Sequence, residues 1–186
     1  IDSWDNEDFN IYLDDALLVS DNFYYTTDVS HSGVFSGGSW TMDTLDIDDY
    51  GFTRGQEWWK DGIHHFTITY NTSDTDVKLG FGAALDEALS NEAYGIDNLT
   101  IVASETSIID TPEMEQIFLD DFEGGATGWN DNTTDATEGN FSEFLGRHAN
   151  SDGSQQVYKT YALDGAQSQL LIEFDFYRID SWDSED

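Results

Sequence analysis

In IEFDFYR, residues 172–178, Glu173 and Asp175 stand two apart. On a β-strand that spacing puts both side chains on one face, and two carboxylates about 5 to 9 Å apart are what glycoside hydrolysis needs. The chain has no Cys, no Ser or Cys nucleophile motif and no glycine-rich phosphate loop, so no enzyme activity is expected. His64 and His65 are adjacent, face opposite sides of a strand, and cannot chelate one metal together; at most one serves a ligand, and the other is a strand histidine satisfied by its neighbours. Trp58 and Trp59, with Tyr50 and Phe52, form a candidate sugar-stacking platform. In a strand one indole turns to the core and the other outward. The acids of DTLDIDDYG (43–51) and SDTD (73–76) do not fit a twelve-residue EF-hand loop and read as solvated turns rather than a calcium loop. Asn71, Asn98, Asn132 and Asn140 each begin an N-x-[ST] pattern that this composition produces by itself.

These residues need elements to position them, and the apolar pattern has period two. In FNIYLDD (9–15) Phe9, Ile11 and Leu13 alternate with Asn10, Tyr12 and Asp14, and ALLVS follows, so Asp14 and Asp15 read as a hairpin corner. Further strands are expected at 64–70, 76–85, 95–103, 141–148, 155–163 and 169–179, separated by Gly, Asn, Asp and Ser clusters. Only LDEALSNEA (85–93) suggests a helical turn. The expected fold is all-β: an antiparallel two-sheet sandwich or jelly roll.

Charge narrows the partners. Asp and Glu number 39 against 6 Lys and Arg, a formal charge of −33, which disfavours nucleic acid and anionic membranes and favours cations. Hydrophobic residues at 38% and aromatics at 15% exceed what a disordered acidic tail carries. No run of about 18 apolar residues occurs, and membrane insertion is not expected.

IDSWDNED at residues 1–8 returns as IDSWDSED at 179–186, a spacing of 178 residues that suits a whole-domain repeat. SETSIIDTPEMEQ, with the chain's single Pro, interrupts the strands. The division expected is residues 1–104 as the C-terminal part of one sandwich repeat, 105–117 as linker, and 118–186 as the N-terminal part of the next: a domain read in permuted order across a tandem repeat. Each part is expected to be completed by a copy of the other, head to tail, through covalent continuity or docking.

FLDDFEGGATGW (118–129), NEAYGIDNLTI (91–101) and the strand running into the repeat, LLIEFDFYRIDSWDSED, together resemble calcium-binding jelly-roll modules. That fold serves many bacterial carbohydrate-binding modules and repeat domains of large secreted surface and adhesin proteins. The resemblance implies an extracellular, cell-surface setting, with calcium tying the first strand to the last. Asp121 and Glu123 from one and Asp97 from the other would supply hard oxygens, and Glu92 and a carbonyl near Gly124 could complete the shell. Jelly-roll glucanases, by contrast, carry E-x-D-x-x-E on the strand where this chain has Arg178. Two functions follow: a calcium-stabilised structural repeat of a filament, surface layer or long adhesin, or a carbohydrate-binding module that takes polysaccharide at Trp58, Trp59 and Tyr50.

Overall fold

A computed structural model describes residues 7–22, 30–48, 50–52, 61–85, 89, 92–104, 114–136, 141–149, 153–163 and 169–180. Trp4, Trp58, Trp59, Trp182, most of the 85–93 segment and residues 105–113 lie outside the described residues.

The described residues form strands and no helix: β1 (Asp8–Leu13), β2 (Ala16–Asn22), β3 (Ser30–Phe35), β4 (Gly38–Asp48), β5 (Asp61–Tyr70), β6 (Asp76–Ala83), β7 (Glu92–Ser104), β8 (Met114–Asp120), β9 (Thr134–Asp135), β10 (Phe144–His148), β11 (Val157–Ala162) and β12 (Gln169–Asp180). They make two antiparallel sheets packed face to face. A four-stranded sheet runs β11-β6-β1-β2, and an eight-stranded sheet runs β3-β4-β5-β12-β7-β10-β9, with β8 also paired to β7. Asp14 and Asp15 take φ of 49° and 65° between β1 and β2, the left-handed pair that a two-residue hairpin requires.

Three differences from the sequence reading have physical causes. The β3-β4 hairpin was not expected, because its apolar residues do not keep to one face. Trp40 and Met42 pack inward, whereas Val34 and Leu45 are exposed. β8 starts at Met114, inside the segment read as linker, since its backbone pairs with β7 from Ser104↔Met114 to Leu99↔Asp120. The 105–113 segment thus joins two neighbouring antiparallel strands. The third difference concerns completion. β12 lies between β5 and β7, and β11 pairs with β6, so strands from both sides of that segment complete one sandwich within a single chain.

Alternation decides what each sheet buries. Leu170, Ile172, Phe174 and Phe176 of β12 meet Phe66 and Ile68 of β5, Ile96 and Ile101 of β7, and Phe9, Ile11, Leu79 and Phe81 of the smaller sheet. Phe9 stacks on Phe176 with centroids 4.0 Å apart, and Phe66 on Phe174 at 5.1 Å. One end of this core is polar. Glu7, His64, Glu92 and Arg178 are all buried, each two residues beyond a core aromatic: Phe9, Phe66, Tyr94 and Phe176. Gly62 leaves room for two of them, because a Cβ there would meet His64 Nε2 at 2.6 Å and Arg178 Nε at 3.3 Å. On the outer face of the larger sheet, Phe52 and Phe144 cover Ala93, Tyr177 and Ile179, with Tyr50, Ile63 and Phe141 packed alongside.

Candidate functional site

The outer face of the larger sheet gathers most of the residues that could do chemistry. Pairing registers Asp43↔His65, His65↔Asp175 and Asp175↔Asp97 set four side chains in one row across β4, β5, β12 and β7. Glu173 lies two residues along β12 on the same face. His65 Nδ1 is 2.8 Å from Asp175 Oδ1, and its Nε2 is 3.8 Å from Glu173 Oε1. The two histidines do face opposite sides, with His64 buried among rings and His65 half-exposed between carboxylates. Arg178 takes no part in the row, because it points the other way, into the core.

A bulge shapes the β7 end of the row. The register passes from Glu173↔Thr100 to Asp175↔Asp97, so β7 carries one extra residue there, and Asn98 takes φ 52°. Consecutive side chains therefore reach the same neighbourhood. Asn98 Nδ2 donates to Asp175 Oδ2 at 2.8 Å, and the Asn98 backbone N–H donates to Asp97 Oδ1 at 2.7 Å. Asp97 Oδ2 accepts from Tyr177 Oη at 2.8 Å and from Ser142 Oγ at 3.3 Å. Burial pushes the Asp97 carboxyl above its ordinary 3.8, with Asp175 adding to it and these three hydrogen bonds opposing it.

Asp121 and Glu123 flank Phe122, which is buried at φ 56° and accepts the Gly125 N–H at 2.8 Å. That turn leaves both acids and Gly124 exposed, with the Glu123 N–H donating to Asp121 Oδ1. Glu123 is near enough to Tyr177 for its charge to help raise the phenol's pKa, after burial and Asp97. Asp97 is bonded to that phenol, while Glu123 reaches it only through its charge, with Asp121 on the same turn as Glu123. Glu92 is not among them: it is buried at the start of β7, five residues from Asp97, about 16 Å along a strand. Asp97, Asp121 and Glu123 offer only oxygen, the donor set of a hard cation. As placed, no group of three or more acids or histidines among the described residues forms a metal cage.

This geometry makes a discriminating prediction. A carboxylate whose folded pKa is raised loses stability as pH climbs from its unfolded value through its folded one. Asp97→Asn should therefore leave the calcium-free protein at pH 7 as stable as the parent or more so. If Asp97 holds calcium, the same change should abolish the stabilisation that added calcium gives. Thermal melts with chelator and with millimolar calcium check both halves. A calcium response that survives in D97N would remove Asp97 from the ligand set.

One acid that ties the two sheets together had no local signal. Asp120, beside Asp121, accepts from Lys159 Nζ at 2.9 and 2.8 Å, from Tyr161 Oη at 2.7 Å and from Trp129 Nε1 at 3.2 Å, clamping β8 of one sheet to β11 of the other. Strand alternation separates it from Asp121, but its partners come from 9 to 41 residues away. Of the platform aromatics, Tyr50 and Phe52 are among the described residues: Tyr50 packs edge-on against Phe141 and donates its hydroxyl to Asp46, and Phe52 is buried against Phe141 and Phe144. A groove of about 460 Å³ opens between Leu89, Thr133, Thr134, Asp135, Gly146 and Arg147, where Arg147 Nε donates to Asp135 at 2.7 Å. Compared with models of known protein families, with curated proteins and with solved structures, the chain finds no match.

Proposed function

We propose that this chain is one period of a structural repeat in an extracellular bacterial filament, surface layer or long adhesin, with calcium as a stabilising ion. The observation that carries the reading is how the two octapeptide copies enter the sandwich. Ile179 and Asp180, the first residues of the second copy, end β12 opposite Ala93 and Glu92. Glu7 and Asp8, the last residues of the first copy, lead into β1. Phe9 stacks on Phe176, so the end of β12 and the start of β1 face each other at one end of the sandwich. Packed sheets are about 10 Å apart, and eight extended residues reach roughly 26 Å. A single octapeptide is long enough to carry β12 of one period into β1 of the next. The same sandwich then forms in the order β8 to β12, β1 to β7, as a jelly roll whose unit boundary is the 105–113 segment. A charge of −33 in every copy keeps neighbouring units apart and soluble.

A circular permutant tests this. Residues 114–186 joined directly to 9–104 keep one octapeptide, and should fold as a monomer at least as stable as the chain in its present order. A permutant that is unfolded or aggregates defeats the permuted-repeat reading. Calcium is tested separately: at a hundredfold excess over Kd a ligand of the folded state adds about 2.7 kcal/mol, so chelation should lower the melting temperature by several degrees. Unchanged melting removes the ion and leaves the repeat standing.

A second reading, a polysaccharide-binding module, draws on the open outer face. There Ser39, Thr41, Thr67, Thr69 and Thr100 lie beside His65 and Glu173 under the Tyr50 and Phe141 wall. Retarded migration through polysaccharide gels, lost in His65→Ala and in Trp58→Ala or Trp59→Ala, would favour it over the first.

A further inference from the structure

The edges of the two sheets are not treated alike. β11 closes one edge of the smaller sheet, and Asn130 covers it: its N–H donates to the Tyr158 carbonyl at 3.0 Å, its Nδ2 donates to the Gln156 carbonyl at 3.0 Å, and its Oδ1 accepts the Tyr158 N–H. β2, at the other edge, carries Asp21. On the larger sheet, β9 is two residues long. β3 is different. It is a six-residue edge strand, SHSGVF, that pairs only with β4 among the described residues.

Edge strands offer a row of unpaired N–H and C=O groups, and natural sheets guard them with charge, Pro, bulges or brevity. β3 has no Pro, no bulge and no Asp, Glu, Lys or Arg of its own; charge touches only its first two residues, where Ser30 donates to Asp43 and His31 pairs with Asp21 of β2. It sits inside the longest interval of the chain without Asp, Glu, Lys or Arg, from Val29 to Met42. The second longest acid-free interval, 62–73, lies two strands in, on β5. The cross-strand rows Ser32↔Thr41↔Thr67 and Val34↔Ser39↔Thr69 are therefore uncharged. Val34 projects from this corner with 86% of its surface exposed, while Leu17 and Leu45 reach 53% and 59%. In a molecule at −33, the Ser32 to Phe35 stretch of this edge, past Asp21 at His31 and Asp43 at Ser30, lets a second, equally acidic copy approach without setting carboxylate against carboxylate in those rows.

We infer that β3 is a self-association edge, at which a second copy of the chain adds its own β3 antiparallel and continues the larger sheet across a two-fold axis. Same-face pairing in any such register brings only Ser, His, Gly, Val and Phe opposite one another, so no carboxylate of one strand meets a carboxylate of the other. In a tandem array the contact is lateral, between units of neighbouring chains, and tethering many weak contacts raises their combined strength. The inference concerns a different surface from the octapeptide junction and does not depend on it.

Sedimentation equilibrium of the full chain up to about 1 mM tests it, with chelator present so that no divalent cation bridges carboxylates. At 0.5 M NaCl, where charge repulsion is screened over a few ångströms, a monomer–dimer equilibrium is expected. It should weaken at least tenfold in 0.05 M NaCl. Val34→Asp and, independently, Ser32→Asp should each weaken the dimer at least tenfold while leaving the melting temperature within a few degrees, since both side chains are exposed. A chain that stays monomeric throughout overturns the inference. So does a dimer that both substitutions leave unchanged.

Discussion

Between pH 6.5 and pH 3 the sandwich should lose about 5 kcal/mol of stability through His64 alone. Burial, reinforced by the nearby Arg178 guanidinium, pulls the His64 pKa down to about 3 from an ordinary 6.5. The unfolded chain then takes a proton that the folded chain refuses, so stability is full above 6.5 and falls as pH drops toward 3. The size follows from 1.36 kcal/mol per unit. His148, whose pKa burial also lowers, acts in the same direction. Protonation of Asp97 and relief of carboxylate repulsion act in the other, so the wild-type profile alone is ambiguous. The comparison with His64→Gln is not. Near neutral pH the variant should be somewhat less stable, because it alters a ring packed 5.8 Å from Phe176 and 3.1 Å from the Thr44 hydroxyl. By pH 4 the order should reverse. Urea titrations at several pH values decide it, and a wild-type-to-variant difference that does not change with pH would show that His64 is not held neutral.

Truncation of Phe176 to Ala should cost about 3 to 5 kcal/mol, the usual range for a buried aromatic. Its ring is fully buried, 4.0 Å from Phe9 and 6.2 Å from Phe66. It therefore joins β12 to the smaller sheet as well as to its own. Against a total of roughly 5 to 15 kcal/mol for a single domain, one ring removes a large share. Phe9→Ala should cost a comparable amount, and the double variant less than the sum, with a coupling of about 0.5 to 1.5 kcal/mol from the stacked pair. Val34→Ala serves as the exposed control and should be nearly neutral. A cost below about 1 kcal/mol for Phe176→Ala would mean that the two sheets are not packed through it.

What the sequence made legible follows from local pattern. Phe9, Ile11 and Leu13, or Ile172, Phe174 and Phe176, repeat every second residue and share a face because strand geometry leaves no alternative. The same rule put His64 and His65 on opposite sides, and Glu173 and Asp175 on one. Where both faces of a strand are mixed, as in β3 and β4, the pattern carries no such information. The fate of individual acids was hidden for another reason. With 39 carboxylates, neighbours in sequence such as Asp120 and Asp121 look alike. One receives Lys159, Tyr161 and Trp129 while the other faces solvent, and only long-range pairing decides which. Glu92 resembled a calcium ligand by proximity to Asp97 along the chain, but a strand carries five residues too far for that proximity to persist in space.

The place of β12 has a kinetic consequence. It lies at the middle of the larger sheet, between β5 and β7, yet among the described strands it comes last in chain order. Phe174 pairs with Phe66 across more than a hundred residues of intervening chain. Until β12 arrives, β5 and β7 have no common neighbour, and the hydrophobic faces of both sheets stand open to water. Topologies dominated by such distant pairings fold in milliseconds to seconds rather than microseconds, with exposed strand edges in the interval. On a ribosome this order would delay closure until the final strand had emerged. If the period continues, however, each new β12 is followed at once by the β1 that stacks on it, so that contact becomes local and the search of β12 for β5 becomes shorter. The octapeptide would then act as a folding nucleus at the seam between periods.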